Sequence, residues 1–354
     1  GSEMCIRDRS YYAVDRYLTG QHDELMAHAT PLEALYQLYR ALRAHREENH
    51  LVMEERKEFR WVLNDSRQID HIEPFEKLLS QRLVEECMIA TNRCAARFLV
   101  ENGATGPYVV HAGFRADRLD EAHRFLEMHA PDTAALTPTE VEGYRDILRS
   151  LAKADHGLPL RGMVNRLLTR AQLSTEPGPH MGMALHHYSN CTSPLRKYVD
   201  FLVHLQIKAL LHGETANRVD QPTLDRISER LATARAATLE AERWLAGKYL
   251  ARLAVEPGHT FSARVSHVNS SGFNVRLEDY GLEGFVDLRQ DPEKFSYDTW
   301  TASLTSTTRR FQLEQLVELT FAGVDAANQY QAAFELVKGC GIKPPRTVEQ
   351  QPGD

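Results

Sequence analysis

The sequence predicts an α+β protein, a mainly helical body followed by a five-stranded, OB-type β-barrel. At 354 residues the chain exceeds the usual single-domain size, so one large body and a smaller domain are expected. From about 11 to 253 apolar residues recur mostly at helical spacing, with one hairpin interrupting them. After Pro257-Gly258 the pattern changes to short alternating strands.

Composition narrows the class. With 42% hydrophobic and 26% charged residues and no apolar run near the length of a membrane span, the chain reads as a soluble, non-membrane protein. The five cysteines (Cys5, Cys87, Cys94, Cys191, Cys340) form no C-x-x-C pair, which argues against a disulfide framework or a zinc site. A cytoplasmic monomer is therefore expected. The net charge of -7 excludes a broadly basic face, so any nucleic-acid site must be a local cluster of cations. Residues 1–10, GSEMCIRDRS, show no periodicity and are expected to be an adapter or cloning remnant, with the natural gene continuing upstream.

The elements follow in order. Phe59, Trp61 and Leu63 alternate with polar residues, Asn64-Asp65-Ser66-Arg67 supplies a turn, and 68–72 returns as a second strand. Ser80 can start the next helix, Leu83, Cys87, Met88, Cys94, Ala95, Phe98 and Leu99 form its apolar stripe, and Gly103 can stop it. On that stripe Cys87 and Cys94 read as core packing. A surface loop near 131–139 precedes a helix near 140–153. Another helix runs to about Gly213, and a long one spans roughly 222–253, with Leu224, Ile227, Leu231, Leu245 and Tyr249 marking a buried face. Strands at 259–268, 272–278, 282–288, 316–324 and 330–337 have the number and spacing of a small barrel. The tail 339–354 is Pro- and Gln-rich and reads as disordered.

Several segments can carry chemistry. Ser193-Pro194 is a helix-start signal, and Arg196 and Lys197 would then fall in the first turn, where the helix dipole disfavours cations. An anion at that helix start would account for them, and so would an arginine paired with a distant acid. STEPGPH at 174–180 is too rich in Pro and Gly for regular structure and must be a shaped loop, either a ligand-approaching one or a buried crossing. Glu85 and Asn92 share a polar helix face that reads most simply as solvated. In the barrel Phe261, Phe273 and Phe285 lie on successive strands, where they could stack bases or fill the core. Because 255–338 holds 12 acidic against 7 basic residues, stacking would have to dominate any RNA grip there.

Glu85-Glu86-Cys87-Met88-Ile89-Ala90-Thr91-Asn92, Tyr108-Val109-Val110-His111-Ala112-Gly113-Phe114, STEPGPH and Thr192-Ser193-Pro194-Leu195-Arg196-Lys197-Tyr198-Val199-Asp200 resemble, in this order, the later part of the ribonuclease II (RNB) catalytic domain. The barrel resembles the S1-type RNA-binding domain that follows it in that family. The resemblance divides the chain into an RNB part at 11–254 and an S1-type domain at 255–338. It implies hydrolytic 3′-to-5′ shortening of single-stranded RNA to nucleoside 5′-monophosphates, assisted by two divalent ions such as Mg2+. It assigns Arg196 to transition-state charge on the phosphate, and Glu85 and Tyr11 to the terminal ribose. Lys197, Tyr198, Phe273 and Phe285 join them as substrate-binding residues.

The sequence also departs from the family. Its metal-binding aspartate cluster has no counterpart here, since neither Asp65 with Asp70 nor Asp117 with Asp120 reproduces it. The two N-terminal cold-shock-like domains are missing, Met53 stands near a position often held by a stacking aromatic, and Thr238 replaces an expected glutamate, with Glu240 closest. The chain alone is thus expected to be inactive. The alternatives are a catalytically inactive RNA-binding or regulatory protein of the same fold, and a structural scaffold.

Overall fold

The computed structural model describes residues 10–21, 25–52, 57–133, 135–153, 160–214, 219–255, 258–337 and 341–342. The expectations for Met53, Cys5, Cys340 and 343–354 fall outside these. In chain order the first elements are α1 (Tyr11–Leu18), α2 (Ala29–Asn49), β1 (Glu58–Leu63), β2 (Ile69–Phe75), α3 (Leu79–Glu101), β3 (Tyr108–Val110), α4 (Leu119–His129), α5 (Val141–Lys153) and α6 (Leu160–Val164). They continue with β4 (Gln172–Ser174), α7 (Tyr198–Leu211), α8 (Gln221–Leu253), β5 (Phe261–Asn269), β6 (Gly272–Leu277), β7 (Glu283–Asp287), β8 (Ser296–Asp298), β9 (Ser303–Thr305), β10 (Arg310–Gln312), β11 (Leu316–Asp325) and β12 (Gln331–Leu336). None of the described helices is long and apolar enough to cross a membrane.

The chain forms two compact units, one of 1–55, 76–153 and 167–230, the other of 56–75, 154–166 and 231–354. The division falls inside α8, and the β1–β2 hairpin belongs to the second unit.

In the first unit α3 is central. Its buried Leu83, Ala95, Ala96 and Leu99 repeat at helical spacing, and Leu99 and Ala95 pack with Tyr108, Cys191 and Val203. The helix stops as expected, because Gly103 takes φ +63 and Ala104 N then reaches Leu99 O at 2.9 Å. Its start differs from the expectation. Ser80 is inside the helix, its hydroxyl donating to Tyr11 O at 2.8 Å, and the cap comes from α1, where Asp15 Oδ1 accepts from Leu79 N at 2.7 Å. Cys87 is only half-buried and Cys94 is exposed, so the expected cysteine stripe is not core. In α5 the burial of Tyr144, Ile147, Leu148 and Leu151 follows the i, i+3, i+4, i+7 pattern.

The buried face expected along all of α8 is interrupted. Leu224, Ala246, Tyr249 and Leu250 are buried, but every residue from 231 to 242 is exposed, Leu231 included at 54%. Five alanines in that stretch give it the intrinsic helix propensity to continue without a packing partner.

In the second unit β5, β6, β7, β12 and β11 close into a barrel, in which β7 and β12 are parallel and the other neighbours antiparallel. Burial has period two: Phe261, Ala263 and Val265 on β5, Phe273, Val275 and Leu277 on β6, and Val317 and Leu319 on β11 point inward. All five strands lie where the sequence placed them. A further three-stranded sheet, ordered β10-β9-β8, was not foreseen; it supplies buried Leu304 and Phe311. Gly281, at φ +64, admits the Phe59 ring of the hairpin to within 2.2 Å of where a Cβ would stand.

Candidate functional site

The four motif segments come together in the first unit through hydrogen bonds. β3 pairs with β4, so Tyr108 faces Ser174 and Val110 faces Gln172. The loop after β4 then runs back along the same segment: His111 N donates to Pro179 O at 2.9 Å, and the His111 and His180 rings stack with centroids 5.7 Å apart. Gly178 lies so close to Val110 that a Cβ would meet its Cγ1 at 3.0 Å, which explains the glycine in STEPGPH. Burial and the neighbouring His111 push the His180 imidazole down to about 4. Val109 N donates to Tyr188 O at 2.8 Å, and the Ser189 hydroxyl donates to Pro107 O at 2.6 Å.

Asn92 joins α3 to this cluster. It is 5% exposed; its Nδ2 donates to the Tyr188 hydroxyl at 2.9 Å, and its Oδ1 accepts from Cys191 N at 2.9 Å. The expectation of a solvated Asn92 is therefore corrected, because a buried amide is stable here only with both ends bonded. Glu86, which the sequence reading passed over in favour of Glu85, is 3% exposed and pairs with Arg46 and Arg43 of α2. Glu85 is 43% exposed at its side chain and pairs with Lys77.

The segment with Arg196 is a turn and not a helix start. Asp200 Oδ2 accepts from Ser193 N at 2.9 Å, and Ser193 O accepts from Arg196 N at 3.2 Å and Lys197 N at 2.9 Å. Lys197 is extended (φ -120, ψ 115), so α7 begins at Tyr198 with no side-chain cap. The expectation that Ser193-Pro194 opens the helix fails because Asp200, one turn into α7, takes the Ser193 N–H and folds the preceding residues back. Arg196 and Lys197 thus stand just ahead of α7, Lys197 at its N-cap, and not inside its first turn.

Both cations are exposed, and among the described residues neither has an ion-pair or side-chain hydrogen-bond partner. Leu195 is fully exposed beside them, and the Tyr198 ring, 59% exposed, stacks loosely on Phe201 at 6.3 Å. A groove of about 870 Å3 runs along α3 and α7, lined by Cys87, Met88, Cys94 and Ile207 and bordered by Thr192 and Pro194 of the turn. Tyr11, 47% exposed, sits at the start of α1 against the N-terminal end of α3.

The barrel aromatics separate. Phe273 is 0% exposed, its ring 4.9 Å from Phe311, and Phe261 is 3% exposed; both fill the barrel, which corrects the assignment of Phe273 to RNA stacking. Phe285 is half-buried on the outer side, opposite Asn274 in the register. No group of three or more His, Cys, Asp or Glu side chains able to hold a metal ion occurs among the described residues. These residues do not fit a divalent-ion site.

Fold and site define an α+β protein with a closed barrel and an exposed cationic turn held by a buried polar cluster. The RNB domain family model matches residues 6–213. The chain is 33% identical over 258 residues to Exoribonuclease 2 of Cronobacter sakazakii, covering 73% of this chain and 40% of that protein. It is 34% identical over 241 residues to Exoribonuclease 2 of Proteus mirabilis, covering 68% and 37%. The chain belongs to the RNB family. It spans about 40% of the length of these curated relatives. Among solved structures, the apo form of Mycoplasma genitalium RNase R matches with a TM-score of 0.74 at 20% identity, over 93% of this chain and 53% of that one. Yeast Ssd1, described as a pseudonuclease, matches with a TM-score of 0.58 at 18% identity, over 84% and 38%.

Proposed function

We propose that this chain is the RNA-holding part of a hydrolytic 3′-to-5′ exoribonuclease that acts on single-stranded RNA and releases nucleoside 5′-monophosphates. The observation that carries the proposal is the fixed, exposed turn whose Arg196 and Lys197 have no protein partner among the described residues. A guanidinium on a rigid backbone suits a phosphate, since its planar fork meets two oxygens at once. Tyr198 offers a ring beside it for a base or ribose. Tyr11 and Glu85 are proposed to read the terminal ribose, with Glu85 leaving Lys77 to do so. The barrel's strand order, first-second-third-fifth-fourth with the third and fifth parallel, is that of an OB-type fold, which supports an S1-type RNA-binding module. Phe285, on its outer side, is the proposed stacking platform.

Divalent-ion hydrolysis is the family's chemistry by resemblance, and no step of it is assigned to the residues described. The second reading, an RNA-binding protein without catalysis, is favoured by the absence of a metal-holding side-chain group among the described residues.

The test is binding of a fluorescein-labelled oligoadenylate, read by anisotropy over a range of salt. Arg196→Ala should weaken binding about tenfold and flatten the log–log salt slope by roughly 0.7, the loss of one single-strand phosphate contact. Arg196→Lys should keep the slope and recover only part of the affinity. Affinity and slope unchanged by Arg196→Ala would overturn the phosphate reading.

A further inference from the structure

Three side chains from two helices grip the backbone ahead of Arg196. Asn92 on α3 accepts from Cys191 N at 2.9 Å, and His204 on α7 donates through Nε2 to Cys191 O at 2.6 Å. Asp200, also on α7, accepts from Ser193 N at 2.9 Å. Ser193 O then accepts from both Arg196 N and Lys197 N. The peptide groups of 191 and 193 are thus held at both N–H and C=O, and the cationic turn hangs from them.

Asn92 and Asp200 are 5% and 2% exposed. Burying an amide and a carboxylate is costly unless the bonds they make are needed, and apolar side chains could fill the same space without fixing a backbone direction. The orientation of Asn92 is itself fixed. Its Nδ2 is engaged by the Tyr188 hydroxyl, so a flip would set Nδ2 against the Cys191 N–H, donor against donor. The downstream side chains show the opposite economy: Leu195, Arg196, Lys197 and Tyr198 are all exposed. A backbone fixed in the free protein beneath unpartnered cations is a pre-organised anion site, because the turn loses no conformational freedom when the anion arrives.

We infer that Asn92, Asp200 and His204 are positioning residues, which fix the 193–197 turn so that Arg196 and Lys197 meet RNA phosphate in one geometry. The inference rests on the phosphate reading of Arg196 given above. What the turn needs from position 200 is an acceptor and not a charge, and what it needs from position 92 is an acceptor directed at Cys191 N.

The experiment is the same oligoadenylate titration, with Asp200→Ala, Asp200→Asn, Asn92→Ala and each alanine variant combined with Arg196→Ala. Thermal melting confirms which variants are folded. Asp200→Ala and Asn92→Ala should reproduce most of the tenfold loss and flatten the salt slope in the same direction as Arg196→Ala. In the double variants the losses should not add, since a misplaced turn and a missing guanidinium forfeit the same contact. Asp200→Asn, whose Oδ1 can still accept from Ser193 N, should bind like the parent. A merely structural role would lower the melting temperature without moving the salt slope. If Asn92→Ala does not fold, the comparison of Asp200→Ala with Asp200→Asn decides alone. Parent-like affinity and slope in folded Asp200→Ala, additive losses, or Asp200→Asn as weak as Asp200→Ala would each overturn the inference while the Arg196 result stands. No effect of Arg196→Ala would bring down the phosphate reading itself, and the inference with it.

Discussion

Truncating Phe273 separates the two roles an aromatic can have in this barrel. The ring is completely buried and lies 4.9 Å from Phe311, which in turn lies 5.7 Å from Phe295, so removal leaves a hole at one end of a run of three tilted rings. Phe→Ala at such a site costs about 3–5 kcal/mol, the lost transfer energy plus the cavity. For a unit of this size each kcal/mol moves the midpoint by about 2–4 °C, so Phe273→Ala should lower its melting temperature by roughly 6–20 °C. The assay is favourable, because all three tryptophans, Trp61, Trp244 and Trp300, fall in the second unit, and intrinsic fluorescence follows its unfolding selectively. Below the new midpoint, RNA affinity should be little changed. Phe285→Ala should behave in the reverse way, with a melting temperature close to the parent's and RNA binding weaker by about 1–3 kcal/mol, the worth of one stacked base. A Phe273→Ala protein that melts like the parent and binds RNA poorly would refute the assignment of this ring to the core.

Acid should destabilise the first unit through His180, whose folded-state value of about 4 lies below its ordinary 6.5. The unfolded chain therefore takes up this proton first, so the contribution is complete above about pH 6.5 and is lost as pH falls toward 4, by an amount on the order of 3 kcal/mol. His111 and His50 shift in the same direction by burial, and urea unfolding between pH 7 and 4.5 should show a smaller loss in His180→Gln; a midpoint that rises on acidification would contradict this. Glu86→Gln leaves the Arg46 guanidinium buried without its carboxylate and should cost about 3–5 kcal/mol in urea unfolding, whereas replacing Glu86 and Arg46 together by methionine should recover much of it. A cost below about 1 kcal/mol for Glu86→Gln would show that water reaches this pair.

The parts of the fold legible in the sequence are those fixed by local pattern. The barrel strands alternate over most of their length, as in Phe273, Val275 and Leu277, with register shifts only at 265–267 of β5 and 321–323 of β11. α3 carries its stop at Gly103 and part of its stripe, Leu83, Ala95 and Leu99, while Cys87, Met88, Cys94 and Phe98 are not buried. What the sequence could not reveal depended on partners far along the chain. Asn92 reads as a surface amide until Tyr188 and Cys191, 96 and 99 residues away, supply its bonds. Glu86 outranks its neighbour Glu85 as a buried group only because α2 brings Arg46 to it. The exposed middle of α8 was hidden for the converse reason: Leu224, Ile227 and Leu231 have the spacing of a buried face, but spacing cannot show whether anything packs against it. At Ser193-Pro194 two local signals compete, the proline that favours a helix start and the Asp200 carboxylate that closes a turn. The turn prevails because Ser193 N gains the buried Asp200 side chain as its acceptor.

The same distribution of partners explains how an acidic chain can present a phosphate site. Many of its arginines are neutralised by neighbouring carboxylates: Arg264 by Glu278, Arg289 by Asp287, Arg309 by Asp291 and Glu293, Arg60 by Glu73 and Arg115 by Asp117. Such pairs contribute little net potential at a distance and would have to break before meeting RNA. The Glu293 carboxylate, for one, is held down to about 2 by Ser306, Thr308 and Arg309, so it stays ionised across the whole working range. Among the described residues, Arg196 and Lys197 have no such neighbour to displace. A net charge of -7 then disfavours RNA over most of the surface and leaves unpartnered cations to choose the site. Affinity built this way involves few phosphates, so its salt dependence is shallow, and each cation of the turn carries a large share of the slope.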